Sequence, residues 1–524
     1  MAGIERAGAA AGSRAPPHDS KQNARSRSEG QSTEPIRKPA RVAGFLFGVL
    51  YAAPIPLHQP KTLHPSLRSN PISAPPVTPT PLSPAPFHVT SRMVASIALP
   101  MTLAYMTTPL IGVVDTAVVG RLGQAELLGG LAIGAILFDL IFTTFNFLRA
   151  ATTGLTAQAS GRNDREEEYA IFWRSFMLAL AIGCIVVALG PLLLGAGLAF
   201  MNAGPDVAGA AGVYIAIRLW SAPAALANYS ILGYVLGRGE AATGLALQIV
   251  ISVSNLVLSI LLGLTFGWGI AGVAWATVIG EVLGAAAGLA IILARARNTP
   301  FPGRARLFDR TALRKLFALN GDIMIRSLAL MSAFVFFTRS AVQFGPVTLA
   351  ANAVLMNFFL VAGYFLDGIA TAAEQIAGRA IGAQNRTAFR QAIRLTLIWG
   401  FVIAAIGTIT IYLAGPALID LMTTAPGVQA EARTYLGWAA MTAIAGVLAF
   451  LMDGVYIGAT WSRDMRNMML LSLAAFLALV FMIVPATGNH ALWAALLVFL
   501  GLRGVSLFAR LPGRAAETFG QQPN

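Results

Sequence analysis

Asp115 sits in PLIGVVDTAVVG, Pro109 to Gly120, inside a long apolar run. A carboxylate at bilayer depth costs roughly 2.5 kcal/mol or more unless it faces protein or water. Such a group is kept where it binds a proton or a cation. No basic residue lies within a helical turn of it, and Pro100 and Pro109 precede it. Each proline removes a backbone hydrogen bond and can bend the helix. Other apolar runs hold further polar residues. Asn255 and Ser259 in SVSNLVLSILLG stand one helical turn apart on one face. Asp367 and Glu374 in GYFLDGIATAAEQIAG are seven apart and share a face, and Asp453 stands in FLMDGVYIGAT. These six residues form the candidate ion-coupling and substrate-cavity set. Arg149, Arg218 and Arg326 are the candidate charge partners. The plainer role of a membrane acid is to pair with an arginine and hold helices together, and Glu281 is read that way.

The same inspection excludes other chemistries. No Ser/His/Asp, GxSxG or HExxH arrangement is present, so no catalytic residue is expected. Four of the five histidines fall within residues 1–92, leaving His490 in the body. The one cysteine, Cys184, lies in an apolar run and is read as a small core residue. No metal site and no cofactor are expected beyond a coupling ion, H⁺ or Na⁺. No basic stripe with interleaved aromatics suggests nucleic acid.

Elements able to hold such residues must span a membrane. The chain has 524 residues, 56% hydrophobic and 11% charged, with mean hydropathy +0.68. A soluble domain carries roughly 25% charged residues. Apolar segments long enough to span recur about twelve times after Met93, at about 94–119, 127–149, 171–199, 211–236, 244–265, 270–294, 322–344, 349–377, 393–415, 430–458, 468–486 and 491–510. Even-numbered loops carry the Lys/Arg, and the sixth, RARNTPFPGRARLFDRTALRKLF, holds seven. Odd-numbered loops hold almost none beyond Arg121. The positive-inside rule then places both termini in the cytoplasm. Residues 1–92, with 11 Lys/Arg against 4 Asp/Glu and stretches such as PISAPPVTPTPLSPAP, read as a disordered tail, with translation starting at or near Met93.

The body repeats itself. YIAIRLWSAPAALANYSILGYVLG from Tyr214 aligns with YLGWAAMTAIAGVLAFLMDGVYIG from Tyr435, a shift of 221. The same shift pairs ASGRND at Ala159 with AIGAQN at Ala380, and GWGIAGVAWA at Gly267 with GNHALWAALL at Gly488. Six helices per repeat is an even number, so the halves share one orientation about an axis along the membrane normal. The expected fold is an all-α integral membrane protein of about twelve transmembrane helices in two six-helix pseudo-symmetric lobes. The expected division is 93–294 for helices 1–6, 295–319 for a basic inter-lobe loop, 320–512 for helices 7–12 and 513–524 for a short cytoplasmic tail.

Several blocks carry a family resemblance: VVDTAVVGRLG, FLRAATTGLTAQASG, LNGDIMIRSL, AANAVLMNF, FLDGIATAAE and GNHALWAALLVFLGLRG, in this order. Together they resemble the multidrug and toxic compound extrusion (MATE) family, and within it the DinF-like branch, from about Met93 to Arg510. The resemblance implies a secondary active efflux transporter that exports small organic cations or amphiphiles against inward H⁺ or Na⁺. It implies that Asp115 is the proton-coupling acid and that Asp367, Glu374 and Asp453 match acids of the second lobe. The family's fifth helix often carries an acid four residues after an asparagine. Here Asn255 matches and Ser259 replaces the acid, which favours H⁺ over Na⁺. The expected setting is a bacterial inner membrane, as a monomer. A lipid-linked precursor flippase is the alternative; it would want a cationic cavity and usually extra helices. A membrane-embedded transferase would want catalytic residues in sizeable loops, and the loops here are short.

Overall fold

The computed structural model describes residues 87–201 and 204–520, and every regular element in it is helical. Twelve helices are long and apolar enough to cross a membrane. In the first lobe they are α1 (Ser91–Gly120), α2 (Ala125–Gly161), α3 (Arg165–Ala188), α4 (Pro205–Gly237), α5 (Ala241–Thr265) and α6 (Gly269–Arg295). The second lobe has α7 (Arg310–Val342), α8 (Pro346–Gly382), α9 (Arg386–Met422), α10 (Pro426–Gly458), α11 (Ser462–Met482) and α12 (Asn489–Phe519). α2 is interrupted by a turn at Phe145–Asn146, and α5 finishes in a π-helical turn, Ser259–Thr265. α1 runs unbroken through Pro100 and Pro109.

The repeat is visible in local backbone geometry. Asn163 and Gln384, 221 apart, both take left-handed conformations, with φ of 56° and 53°. Gly239 and Thr460 form a second such pair at 80° and 57°. Just after the first pair, Asp164 and Asn385 cap α3 and α9, accepting from Glu167 N at 3.0 Å and Ala388 N at 2.9 Å. A side-chain oxygen there satisfies one of the orphan donors of a helix start.

Close helix approach also repeats. A Cβ on Gly233 would lie 2.5 Å from the Arg149 carbonyl oxygen, and one on Gly454 would lie 2.3 Å from that of Ala370. These contacts stay within a lobe. Between lobes, a Cβ on Gly161 would lie 2.2 Å from the Arg379 oxygen, and one on Gly382 would lie 2.0 Å from the Gln158 oxygen. The two contacts are reciprocal, as a two-fold between the lobes requires. Membrane helices without a hydrophobic drive to associate use small residues in this way.

The lobes are sealed at the end that carries the basic loops. Gln158 Nε2 donates across the seam to the Gly458 carbonyl at 2.9 Å and to Thr460 Oγ1 at 3.2 Å. Gly368 of α8 lies against Thr102 and Ala98 of α1. Among the described residues, no side-chain hydrogen bond joins the lobes in the opposite half, where Ile136 of α2 and Leu360 and Val361 of α8 are exposed.

Three details depart from the sequence reading. α7 starts at Arg310 and α12 runs to Phe519, so parts of the expected loop and tail are helical. Cys184 is exposed on α3 rather than buried, because a lipid-facing stripe and a core stripe have the same composition. The packed body also starts before Met93. Val89 has no exposed surface, Thr90 accepts from Met93 N at 3.2 Å as the α1 cap, and the Arg379 guanidinium lies 4.6 Å from the Phe87 ring centre. The disorder expected for residues 1–86 lies outside the described residues. A chain starting at Met93 loses a cap worth ~1 kcal/mol and a buried valine worth about 1.5–3 kcal/mol. It should therefore melt at least a few degrees below one starting at Phe87. Equal melting temperatures in a detergent thermal-shift assay would contradict the packing role of residues 87–92.

Candidate functional site

Asp115 is 4% exposed, at the level where α1 meets the end of α5. Ser259 Oγ donates to its Oδ1 at 2.9 Å, and Ser259 is fully buried. Ser259 is also the first residue of the π-helical turn. Such turns add a residue to the helical repeat and recur at functional sites. Asn255 does not join this pair. Its Nδ2 donates to Thr277 Oγ1 on α6 at 2.9 Å, and its Oδ1 has no partner.

Arg218, a candidate charge partner, forms no ion pair among the described residues. Its guanidinium donates to the Tyr214 hydroxyl and lies 4.8 Å from the Phe138 ring centre, within charge range of Asp115. Glu281 accepts from Asn228 Nδ2 at 2.7 Å, which ties α6 to α4.

The second-lobe acids take three different roles. Asp453 is clamped by two arginines, Arg326 of α7 and Arg503 of α12, both on Oδ2. Glu374 of α8 pairs with Arg149 of α2 at 3.4 Å, across the seam between lobes. Beside it the Tyr105 hydroxyl and Thr371 Oγ1 lie 3.0 Å apart, also across the seam. Asp367 is half-buried, and its carboxylate has no hydrogen bond or ion pair among the described residues. Only its backbone oxygen is used, accepting from Thr371 at 2.8 Å. The structure thus joins Asp115 to Ser259, Arg149 to Glu374 and Arg326 to Asp453, and leaves Asn255 and Arg218 outside the expected contacts.

Asp139 is a residue the sequence reading passed over. It stands in GAILFDLIFTTF, mid-way along α2, and is exposed. The signal was available, because it is a lone carboxylate in an apolar run, as Asp115 is. Among the described residues no group of His, Cys, Asp and Glu is arranged to hold a metal ion.

Comparison with known proteins gives this architecture a family. The MatE family model matches residues 100–261 and 323–484, one match in each lobe. DNA damage-inducible protein F of Escherichia coli K12 is 37% identical over 414 residues, covering 79% of this chain and 90% of its own length. Among solved structures, a MATE in the bent conformation matches with a TM-score of 0.75 at 19% identity, covering 82% of this chain and 96% of that one. An outward-facing multidrug resistance MATE family transporter of the MOP superfamily matches with a TM-score of 0.74 at 18% identity, covering 83% of this chain and 97% of that one. With a family match in each lobe and a DNA damage-inducible protein F relative over most of its length, the chain belongs to the MATE family of multidrug efflux transporters, and is a multi-pass membrane transporter rather than an enzyme.

Proposed function

We propose that this protein is a proton-driven exporter that works by alternating access, with Asp115 as the coupling acid. The observation that carries the reading is the buried Asp115–Ser259 pair at the π-helical end of α5. Asp115 has a hydroxyl donor for company and no basic group in contact, so either a proton or a cationic substrate can neutralise it. The seal at the basic end and the freedom of the opposite end support an outward-open state. The loop charges support a cytoplasmic location for the sealed end and both termini. The bilayer is then a bacterial inner membrane and the substrates are small organic cations or amphiphiles, handled by a monomer.

H⁺ is favoured over Na⁺ by the side chains near Asp115. A Na⁺ site wants several oxygen ligands, whereas Asn255 is turned to Thr277 and the fifth-helix acid is replaced by Ser259. At depth the first lobe holds Asp115, Asp139 and Glu281 against Arg218 and Arg149, the last of these paired with Glu374 of the second lobe, and this acidic balance suits cations and disfavours the pyrophosphate of a lipid-linked precursor. One inward proton gains about 2.3 kcal/mol per 100 mV and about 1.4 kcal/mol per pH unit. In a one-to-one exchange for a monovalent cation the potential term cancels, so each pH unit sustains about a tenfold substrate gradient. Efflux of a fluorescent organic cation from vesicles should be driven by an imposed ΔpH alone and not by an imposed ΔNa⁺ alone. Efflux driven only by ΔNa⁺ would reject proton coupling.

A further inference from the structure

We propose that Asp139 reads the positive charge of the substrate in the cleft between the lobes, as a carboxylate separate from the coupling acid Asp115. The inference rests on the export reading above, in which an organic cation crosses this cleft.

Asp139 is exposed, mid-span, and free of any hydrogen bond or ion pair among the described residues. A carboxylate facing lipid at that depth costs roughly 2.5–3.5 kcal/mol. The helix instead turns this residue toward the other lobe. Ala157, eighteen residues further along α2, lies about five helical turns on and so near the same face. Ala157 abuts Gly378 of α8, whose Cβ would stand 2.8 Å from it. The intervening turn shifts the phase by part of a turn, since Asn146 is right-handed helical (φ −57°, ψ −15°) while Phe145 is not (φ −86°, ψ 1°) and the bonds there run i to i+3. Near Ala157 that face is sealed against the second lobe. Near Asp139, toward the unsealed end, it looks into the cleft.

The surroundings match an aromatic cation. In the first lobe the charge of Asp139 reaches Arg218, Tyr214 and Tyr229. In the second it reaches Tyr364, which also feels Asp367 three residues along the same face of α8. Tyr364 is thus within charge range of two carboxylates, one from each lobe, and neither carboxylate has a hydrogen bond or ion pair among the described residues. Carboxylates beside an aromatic ring recognise a delocalised organic cation by charge and by ring quadrupole. The division of labour follows from burial. Asp115 is enclosed, so occupying it requires a conformational commitment. Asp139 is open to the cleft and meets a cation as it arrives or leaves.

The test is equilibrium binding of tetraphenylphosphonium to the purified full-length protein at two pH values. Asp139→Asn should weaken binding about tenfold or more, and Asp139→Glu should stay within about threefold of the native protein. Binding to Asp139→Asn should keep its dependence on pH, and binding to Asp115→Asn should lose it. Affinity unchanged in Asp139→Asn would overturn the inference and leave the export reading standing. A loss of thermal stability in Asp139→Asn, with no rescue by Asp139→Glu, would overturn it in favour of a structural role. Failure of the native protein to bind the cation at all would remove both readings.

Discussion

Gly382→Val should all but stop transport while leaving the protein abundant in the membrane. The smallest side chain at 382 would place its Cβ 2.0 Å from the Gln158 carbonyl oxygen of the other lobe. That neighbour is backbone and cannot swing away. The nearest atoms to Gly382 all belong to the opposite lobe, so neither lobe should lose internal packing. The sealed state is disfavoured and the cycle stalls with the basic end open. Gly161→Val should behave alike, because its closest atom is the Arg379 carbonyl oxygen across the same seam. Gly454→Val is the contrast. Its Cβ would strike the Ala370 oxygen of its own lobe, so it should lower abundance instead. Spin labels at Arg162 and Thr387, both exposed at the sealed end, would report the separation directly. A Gly382→Val protein with native label distances and native transport would contradict the assignment of this seam as a gate.

Asp453→Asn should destabilise the second lobe severely. Arg326 and Arg503 converge on a single carboxylate oxygen, and Asp453 is 4% exposed. Removing the anion leaves the buried Arg503 and the partly buried Arg326 guanidinium groups facing each other. Breaking a buried pair typically costs about 3–5 kcal/mol. That is about a fifth or more of a marginal stability of about 5–15 kcal/mol, so the expected result is low membrane abundance and a sharply lower melting temperature. Arg503→Met added to Asp453→Asn should recover part of the loss by removing one stranded cation. If Asp453→Asn were instead stable, abundant and uncoupled, Asp453 would be a coupling acid rather than a clamp.

These two cases mark how far the sequence could be read. The 221-residue repeat announced itself in residue identities, and the structure expresses it in paired left-handed turns at Asn163 and Gln384 and in reciprocal glycine contacts at Gly161 and Gly382. Twelve spans were legible because length and apolarity alone define them. Pairings were harder. Asn255 and Ser259 are one turn apart, but a four-residue step leaves them about 40° apart around the helix. That offset sends Asn255 to α6 and Ser259 to α1. The sequence does not mark the π-helical turn that starts at Ser259. Arg218 looked like a carboxylate partner and instead serves Tyr214 and Phe138, since an arginine's choice among neighbours depends on packing. Cys184 shows the same ambiguity from the apolar side: composition does not distinguish a stripe facing lipid from one facing protein.

If Asp115 carries the proton, Asp115→Asn uncouples transport. The change keeps the shape of the side chain and its ability to accept from Ser259, but removes its charge and its titration. In vesicles with an imposed ΔpH, efflux of an organic cation should fall to background in Asp115→Asn, with abundance and melting temperature near native. Asp367→Asn and Glu374→Gln, measured alongside, should retain ΔpH-driven efflux. Native ΔpH-driven efflux by Asp115→Asn would overturn Asp115 as the coupling acid and move the coupling site to the unpartnered Asp367 or to Glu374 in the second lobe.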